Sequence, residues 1–344
     1  GVRPSLIPLL ISYLTDRRMK VKFNNTESST LSLIGGGPQG SLIGQIMYLV
    51  QSKDNAECAG PDDGFKYIDD LSILQIVTMA WLLKSYDFHE HVASDIGVDQ
   101  LYLPATSYQT QQNLDCISTW TEANQMRLNT SKSNYMIFSR SRQDFATWLH
   151  LDGTKLDQKD VTKLLGMWIS DDLSWTRNTK EICIKAYSRL SLLTKLKYVG
   201  VGIDDLINIY ILFIRSCTEY CSVVFHSSLT VQQSTDLERI QKTSLKVILG
   251  DMYVSYMAAC EMTGLLTLSE RREKRCLDFS LKCLKHPRHS SLFPLNPYYL
   301  SQQHEERNRE KFTVNFARTD TYKDSKIPYC QRLLNQHFAR KKWK

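Results

Sequence analysis

The 344-residue sequence has no apolar run near the roughly 18–20 residues needed to cross a bilayer as a helix, so no membrane span is expected. Its most apolar N-terminal stretch, Leu6 to Leu14, is short and lacks a basic lead-in and a cleavage site, so no secretion signal is expected either. Glycine (15) and proline (9) are scarce, which excludes collagen-like and low-complexity classes. None of the nine cysteines forms a Cys-x-x-Cys, and no Cys/His group has zinc-knuckle spacing. They read as reduced thiols, mostly in apolar helical pattern, of an intracellular protein. No internal repeat occurs. What is present is ordinary for a globular chain, 42% hydrophobic and 23% charged, which argues against disorder throughout.

The net charge of +7 is unevenly spread. Residues 1–150 carry 12 Lys and Arg against 15 Asp and Glu, a net of −3, whereas residues 151–344 carry 31 against 21, a net of +10. A basic second half suits a polyanionic partner such as nucleic acid, although solvated helical faces carry Lys and Arg as well.

Mixed helix and strand is expected up to about residue 177. Leu6, Leu9, Leu10 and Leu14 share a helical face. Met19–Phe23 and Ser29–Ile34 read as short strands around the polar turn 24–28, and Ser41 is placed to cap a helix running to Val50. Residues 77–110 match no motif. A helix is expected over Leu114–Met126, and strands over Tyr135–Phe138, Leu149–Leu156 (with a hairpin turn at Asp152-Gly153) and Lys163–Ile169. Beyond 178 the period becomes helical: Lys180–Tyr198, Asp204–Phe225, Val231–Leu249 capped by Thr230, and Leu268–Lys285 with Thr267 and Glu270 as a capping box. The domains expected are 1–177, a helical 178–290, and a basic tail over 291–344 ending in a mobile Lys/Arg cluster.

Two motifs carry chemistry. Asp69 and Asp70 stand between apolar β-formers, Phe65 to Ile68 and Leu71 to Ile76, as at a hairpin tip. Adjacent carboxylates repel and raise each other's pKa unless a cation sits between them. Mg²⁺ favours one or two carboxylates plus substrate phosphates, and two such ions can clamp an in-line phosphoryl displacement. Asp62-Asp63, Asp171-Asp172 and Asp204-Asp205 lack the apolar flanks and read as turns and caps. The second motif is Gly36-Gly37-Pro38-Gln39-Gly40, a tight turn feeding a helix, where glycines admit a close ligand and Gln39 both donates and accepts. Taken alone it reads more readily as a plain strand-to-helix turn.

In combination, Gly-x-Pro-Gln-Gly, an apolar helix and then Tyr-x-Asp-Asp resemble the palm of reverse transcriptases. Leu128-Asn129 with Lys132 ahead of Tyr135–Ser139 is similar to the fourth palm motif of that family. Lys163 to Ile169, then Leu173-Ser174-Trp175, resembles the primer-grip region of non-LTR retrotransposon enzymes. Phe213 to Ser216, Glu219 to Cys221 and Leu237 to Lys242 resemble the region C-terminal to the primer grip in jockey-like elements. The resemblance covers about residues 5–290.

It implies an α+β chain in which a partial palm, an antiparallel sheet with helices, precedes a mostly helical thumb and a connection-like tail. The implied activity is RNA-directed DNA polymerisation. Asp69 would ligate Mg²⁺ with Asp70 in support, and Tyr67 would lie under the primer end. Gly36, Pro38, Gln39 and Gly40 would position template and deoxynucleotide, and Lys132 would assist pyrophosphate departure. Leu165 and Gly166 would grip the primer. Lys195, Lys197, Lys242, Lys246, Arg271, Arg272, Lys274 and Arg275 would hold the RNA–DNA duplex through phosphates. Arg271 and Arg272 sit in a first helical turn, where the dipole disfavours cations, and so invite another explanation.

One departure matters. Family palms carry a further catalytic Asp on a strand ahead of the helix that here begins near Pro4, and Asp16, the only acid before Glu27, lies after that helix. Without that carboxylate and the fingers, these residues alone are expected to be nearly inactive. The alternative expectation is a non-catalytic nucleic-acid-binding protein using its basic helical half. Either way the expected partners are RNA template, DNA primer and deoxynucleotides, in nucleus or cytoplasm, with no membrane.

Overall fold

The computed structural model describes residues 3–33, 41–55, 64–67, 70–74, 104–139, 149–297 and 310–341. They fall into two compact units. One comprises 1–135 with 141–158; the other comprises 136–140 with 159–344. The division at 158/159 replaces the boundary expected at 177, because the strands after 159 pack onto the helices C-terminal to them.

In the first unit, a turn of 3₁₀ helix leads into α1 (Ile7–Leu14), which has no buried residue. The next four strands, β1 (Arg18–Met19), β2 (Lys22–Phe23), β3 (Thr26–Glu27) and β4 (Leu31–Ser32), form one interrupted hairpin. Its turn is only Asn24-Asn25, both at positive φ (44° and 61°), shorter than the 24–28 turn expected. The register slips by one residue between the Lys22–Glu27 and Met19–Leu31 pairs, so the returning arm carries a bulge. Helix α2 (Leu42–Gln51) starts where expected. Ser41 Oγ accepts from Gly44 N at 3.0 Å and from Tyr13 Oη at 2.7 Å. The hairpin β5 (Gly64–Tyr67) and β6 (Asp70–Ile73) comes next, as expected.

Helix α3 (Pro104–Ala123) begins ten residues before the Leu114 expected. Its first half is polar and shows no apolar period. Side-chain bonds at helical spacing, Gln109 to Asn113 (3.2 Å) and Gln111 to Asp115 (2.7 Å), support it. The strand expected over Tyr135–Phe138 reduces to β7 (Asn134–Tyr135). The hairpin β8 (His150–Leu151) and β9 (Thr154–Lys155) turns at Asp152-Gly153 as expected, with φ of 49° and 71°. Then β10 (Asp157–Gln158) pairs parallel with β7. Leu149, Leu151 and Leu156 pack with Leu114, Leu128 and Tyr135 as this unit's small core.

The second unit opens with a surprise. Lys163–Ile169 is not one strand but a hairpin, β11 (Val161–Leu164) and β12 (Met167–Ser170), turning at Leu165-Gly166. Helix α4 (Thr176–Tyr198) comes after it. The single helix expected over Asp204–Phe225 is broken. It runs as α5 (Ile203–Ile209), a π-helical segment Tyr210–Arg215, α6 (Ser216–Glu219) and α7 (Ser222–Phe225), with Cys221 left-handed at φ 52°. Helix α8 (Val231–Leu249) and, after the short α9 (Tyr256–Thr263), α10 (Leu268–Lys285) have the expected bounds. Both carry complete capping boxes, from Thr230 with Gln233 and from Thr267 with Glu270.

Helices α4 and α8 lie side by side and parallel. Gln233 Nε2 donates to Thr176 Oγ1 (3.2 Å) at their starts, and Lys197 Nζ to the Ile248 carbonyl (2.9 Å) at their ends. Ala186, Leu190 and Leu193 from α4 meet Leu237, Ile240, Leu245 and Ile248 from α8 around Tyr210, Ile214 and Phe225. Each such large apolar side chain contributes about 1.5–3 kcal/mol on burial. No single helix among the described residues is long and apolar enough to cross a membrane.

Of the tail expected over 291–344, the described residues 291–297 and 310–341 are instead packed, and the end of the terminal Lys/Arg cluster lies outside the described residues. After α11 (Asp320–Lys323), helix α12 (Lys326–Lys341) sets Cys330 and Leu334 against Cys283, Phe293 and Phe312. Buried amides hold the chain leading into it. Asn335 bonds both the amide (2.8 Å) and the carbonyl (2.9 Å) of Phe312, and Gln331 bridges Asn315 N and the Leu292 carbonyl, each at 3.0 Å. Amides serving as core residues leave no hydrophobic period to read.

Candidate functional site

In the hairpin β5–β6, Tyr67 faces Asp70 as the closing pair. Asp70 and Tyr67 are both exposed. Asp69 lies outside the described residues, as do Gly36, Pro38, Gln39 and Gly40. Lys66 anchors the hairpin: its ammonium donates to the Ser52 carbonyl at the end of α2 and lies 5.4 Å from the centre of the Tyr48 ring. Burial lowers its pKa. Asp171-Asp172 and Asp204-Asp205 are, as expected, a turn and a helix start.

Lys132 sits exposed in a turn closed by Asn129, whose carbonyl and Oδ1 accept from the Lys132 amide at 3.1 and 3.2 Å. Its described contacts stay within that turn. For a metal, hard carboxylate oxygens at a hairpin tip are the donor type that suits Mg²⁺. Among the described residues no three His, Cys, Asp or Glu side chains converge as a metal site, and β5–β6 has no third strand beside it.

The Leu165-Gly166 turn has both residues at positive φ, 47° and 85°. Such a turn takes Asn or Asp first and Gly second, as at Asp152-Gly153. Leu in that conformation costs about 1–2 kcal/mol. Tyr220, which lies in the Glu219–Cys221 stretch but has no role assigned from the sequence, holds the turn from beneath. Its hydroxyl donates to the Leu165 carbonyl at 2.5 Å, and its ring lies 3.5 Å from where a Gly166 Cβ would stand. Leu165→Asn is expected to relieve the strain and raise stability by about 0.5–1 kcal/mol. That appears as a Tm increase of roughly 1–4 °C; an unchanged or lower Tm would count against a strained turn.

The basic residues divide. Lys195, Lys197, Lys242 and Lys246 gather at the C-terminal end of the α4–α8 pair, with Lys242 over Tyr256 (5.1 Å) and Lys246 over Tyr253 (5.5 Å). Lys274 is exposed. The three arginines of α10 turn elsewhere. Arg271 and Arg275 (2.8 Å) both pair with the buried Glu219 carboxylate, which Arg215 approaches at 3.7 Å. Glu219 holds the pKa of Arg271 up, whereas burial lowers that of Arg215.

Arg272 is fully buried, which corrects its expected place on a phosphate-binding surface. Its Nε donates to His226 Nδ1 (3.3 Å) and its Nη2 to Ser234 Oγ (3.1 Å). The dipole objection is answered by Glu238, whose two oxygens accept from the Leu268 and Ser269 amides at the start of α10.

Because Arg272 can only donate, His226 Nδ1 is the acceptor. The ring is therefore neutral, with its proton on Nε2, 3.3 Å from Tyr329 Oη. Burial, then Arg272 and Lys326, push the His226 pKa down to about 4. A folded value below the unfolded one, about 6.5, means that the unfolded chain binds the proton first. Stability is complete above about pH 6.5 and is lost as the pH falls toward 4, by up to about 3 kcal/mol. Urea midpoints measured from pH 7.5 to 4.5 should fall more steeply for the native chain than for His226→Gln; parallel curves would refute the assignment.

No family model matches the sequence, and no solved structure matches it. Among curated proteins, it is 24% identical over 178 residues, 51% of this chain and 17% of the relative, to the "Probable RNA-directed DNA polymerase from transposon X-element" of Drosophila melanogaster. It is 25% identical over 193 residues, 54% of this chain and 19% of the relative, to the "Probable RNA-directed DNA polymerase from transposon BS" of the same organism. The chain thus spans less than a fifth of the length of these relatives. Over about half of its own length, the two matches support a relation to the reverse transcriptases of retrotransposons.

Proposed function

We propose that these 344 residues form part of a non-LTR, jockey-like retrotransposon reverse transcriptase. The first unit is the part of the palm that carries Asp69 and Asp70, and the second unit is the helical grip on template and primer. The observation that supports this reading is the Tyr67–Asp70 pair that closes the antiparallel β5–β6 hairpin. The two transposon relatives support it from the sequence side.

In this reading Asp69 and Asp70 would hold Mg²⁺, which when bound neutralises the charge of the transferring phosphates. Tyr67, exposed on the same turn, would bear on the primer end, and the Gly36–Gly40 stretch on template and deoxynucleotide. Lys132 would donate a proton toward departing pyrophosphate. Leu165 and Gly166 form the rigid turn against the primer, and Lys195, Lys197, Lys242 and Lys246 take the duplex phosphates. Two-metal chemistry needs a further carboxylate beside the pair. The β5–β6 hairpin has no neighbouring strand to supply one among the described residues. The 344 residues by themselves are therefore expected to extend a primer at or near background.

Primer extension on an RNA template with Mg²⁺, run beside duplex binding at two salt concentrations, tests this. The expected result is trace extension with tight, salt-sensitive binding. Efficient extension that Asp69→Ala abolishes would overturn the incomplete site, and absence of duplex binding at low salt would overturn the polymerase reading. The gathering of the four lysines at one end of the helical unit favours a second reading, non-catalytic nucleic-acid binding. That reading alone predicts full duplex affinity in Asp69→Ala/Asp70→Ala with no Mg²⁺ dependence.

A further inference from the structure

A cavity of about 330 Å³ lies within the second unit, walled by the β11–β12 hairpin, by α4 and by α6. Of the residues given a polymerase role above, Gly166 borders it, and no role uses the cavity itself. Three cations line it, Lys163 from β11 and Lys185 and Arg189 from α4. The single carboxylate on its wall, Glu181, is already paired with Arg177 at 2.9 Å. A side-chain amide supplies the second, independent observation. Asn178 is 4% exposed, and its Oδ1 accepts from the Trp168 backbone N–H at 3.2 Å. Asn178 borders the cavity, and its Nδ2 is buried with no hydrogen-bond partner.

A buried amide donor without an acceptor costs free energy until something accepts from it. Here the missing partner is an acceptor, and the three surrounding cations require that it be anionic. We propose that this cavity binds a phosphate monoester, the terminal phosphate of a nucleotide or of a 5′-phosphorylated strand. Asn178 Nδ2 would donate to one oxygen, and Lys163, Lys185 and Arg189 would balance the dianion. A monoester, with two charges, suits three cations better than a backbone diester, which carries one charge and must continue on both sides.

The Leu165-Gly166 turn, propped by Tyr220, fixes one wall, since Gly166 and Tyr220 also line the cavity. Arg189 is itself fixed, donating to the Phe213 carbonyl at 2.5 Å. The site is thus largely preorganised. That the phosphate belongs to a nucleotide rests on the reverse-transcriptase reading; that it is a phosphate does not.

Cys217 lines the same cavity and gives a local readout. The full chain is alkylated with iodoacetamide, and labelling of Cys217 is quantified by peptide mapping. The probes are dAMP, a 5′-phosphorylated oligonucleotide and the same oligonucleotide with a 5′-hydroxyl. Slower labelling of Cys217 with dAMP, with the 5′-phosphorylated strand or with both is expected and identifies the source of the phosphate.

Two variants locate the contact. Asn178→Asp keeps the acceptor for Trp168 but replaces the donor with a negative charge, and Lys185→Glu alters an exposed side chain that the fold does not need. Each should weaken protection at least about tenfold, while Lys323→Glu, at an exposed lysine given no binding role, leaves it unchanged. No protection by either phosphorylated probe, equal protection by the 5′-hydroxyl strand, or full protection in Lys185→Glu would overturn the proposal. The readout is independent of primer extension, so failure of the polymerase reading leaves this result standing, and the reverse.

Discussion

Replacing Glu219 by Gln is expected to destabilise the helical unit by about 3–5 kcal/mol, the cost of stranding buried charge when one partner of a buried ion pair is removed. Glu219 is 5% exposed and faces Arg215, Arg271 and Arg275, which come from two different helices. Its carboxylate joins the broken α5–α7 segment to α10. Gln keeps the shape and loses the charge, so Arg215, whose side chain is 11% exposed, has nothing to balance it. Arg275→Gln is the contrasting variant. That side chain is 46% exposed, and losing its contact with Glu219 should cost less than about 1 kcal/mol. Urea unfolding followed by circular dichroism would show a large midpoint shift for the first and a small one for the second. Equal shifts would mean that the cluster is a surface network and not a buried junction.

Gln241→Leu should cost about 2–4 kcal/mol. Gln241 is fully buried in α8 and holds three elements together. Its Oε1 accepts from Tyr210 Oη at 2.7 Å, and its Nε2 donates to Tyr256 Oη at 2.9 Å and to the Leu266 carbonyl at 3.0 Å. Burial raises the pKa of the Tyr210 phenol far above its ordinary value, so it stays a donor at any working pH. A leucine of similar volume would strand the Tyr210 hydroxyl and the Leu266 carbonyl, each costing about 1–3 kcal/mol. Adding Tyr210→Phe removes the first of these orphans, so the double variant should be more stable than Gln241→Leu alone. Additive losses in the double-mutant cycle would deny the coupling.

Local chemistry explains what could be read from the sequence. Thr230 and Thr267 need only the residue three positions on to form their capping boxes, and both helices have the bounds expected of them. Asp152-Gly153 turned as its residue types demand. The β5–β6 hairpin formed because apolar β-formers flank its two carboxylates on both sides.

The opposite case is Leu165-Gly166. Leu is a poor choice for positive φ, so the turn carries no local signal, and it is Tyr220, 55 positions further on, that holds it. The same holds for the break in the helix expected over 204–225. Its apolar spacing is continuous, but the π-helical segment and the left-handed Cys221 bring Glu219 to the arginines of α10.

The sequence by itself therefore determined the caps, the turns with favourable residues, the apolar periods of the long helices and the paired carboxylates with their flanks. These arise from interactions within a few residues of one another. The tertiary structure decided which charges face solvent and which face each other. Arg271 and Arg275 resemble Lys274 in sequence, yet they are held by a carboxylate more than fifty positions away, and Arg272 is buried against His226. Only tertiary packing turned residues 310–341 from a basic tail into a buried clamp of amides. A charge or an amide is stable inside a protein only where its partner is brought to it, and that partner lies far along the chain.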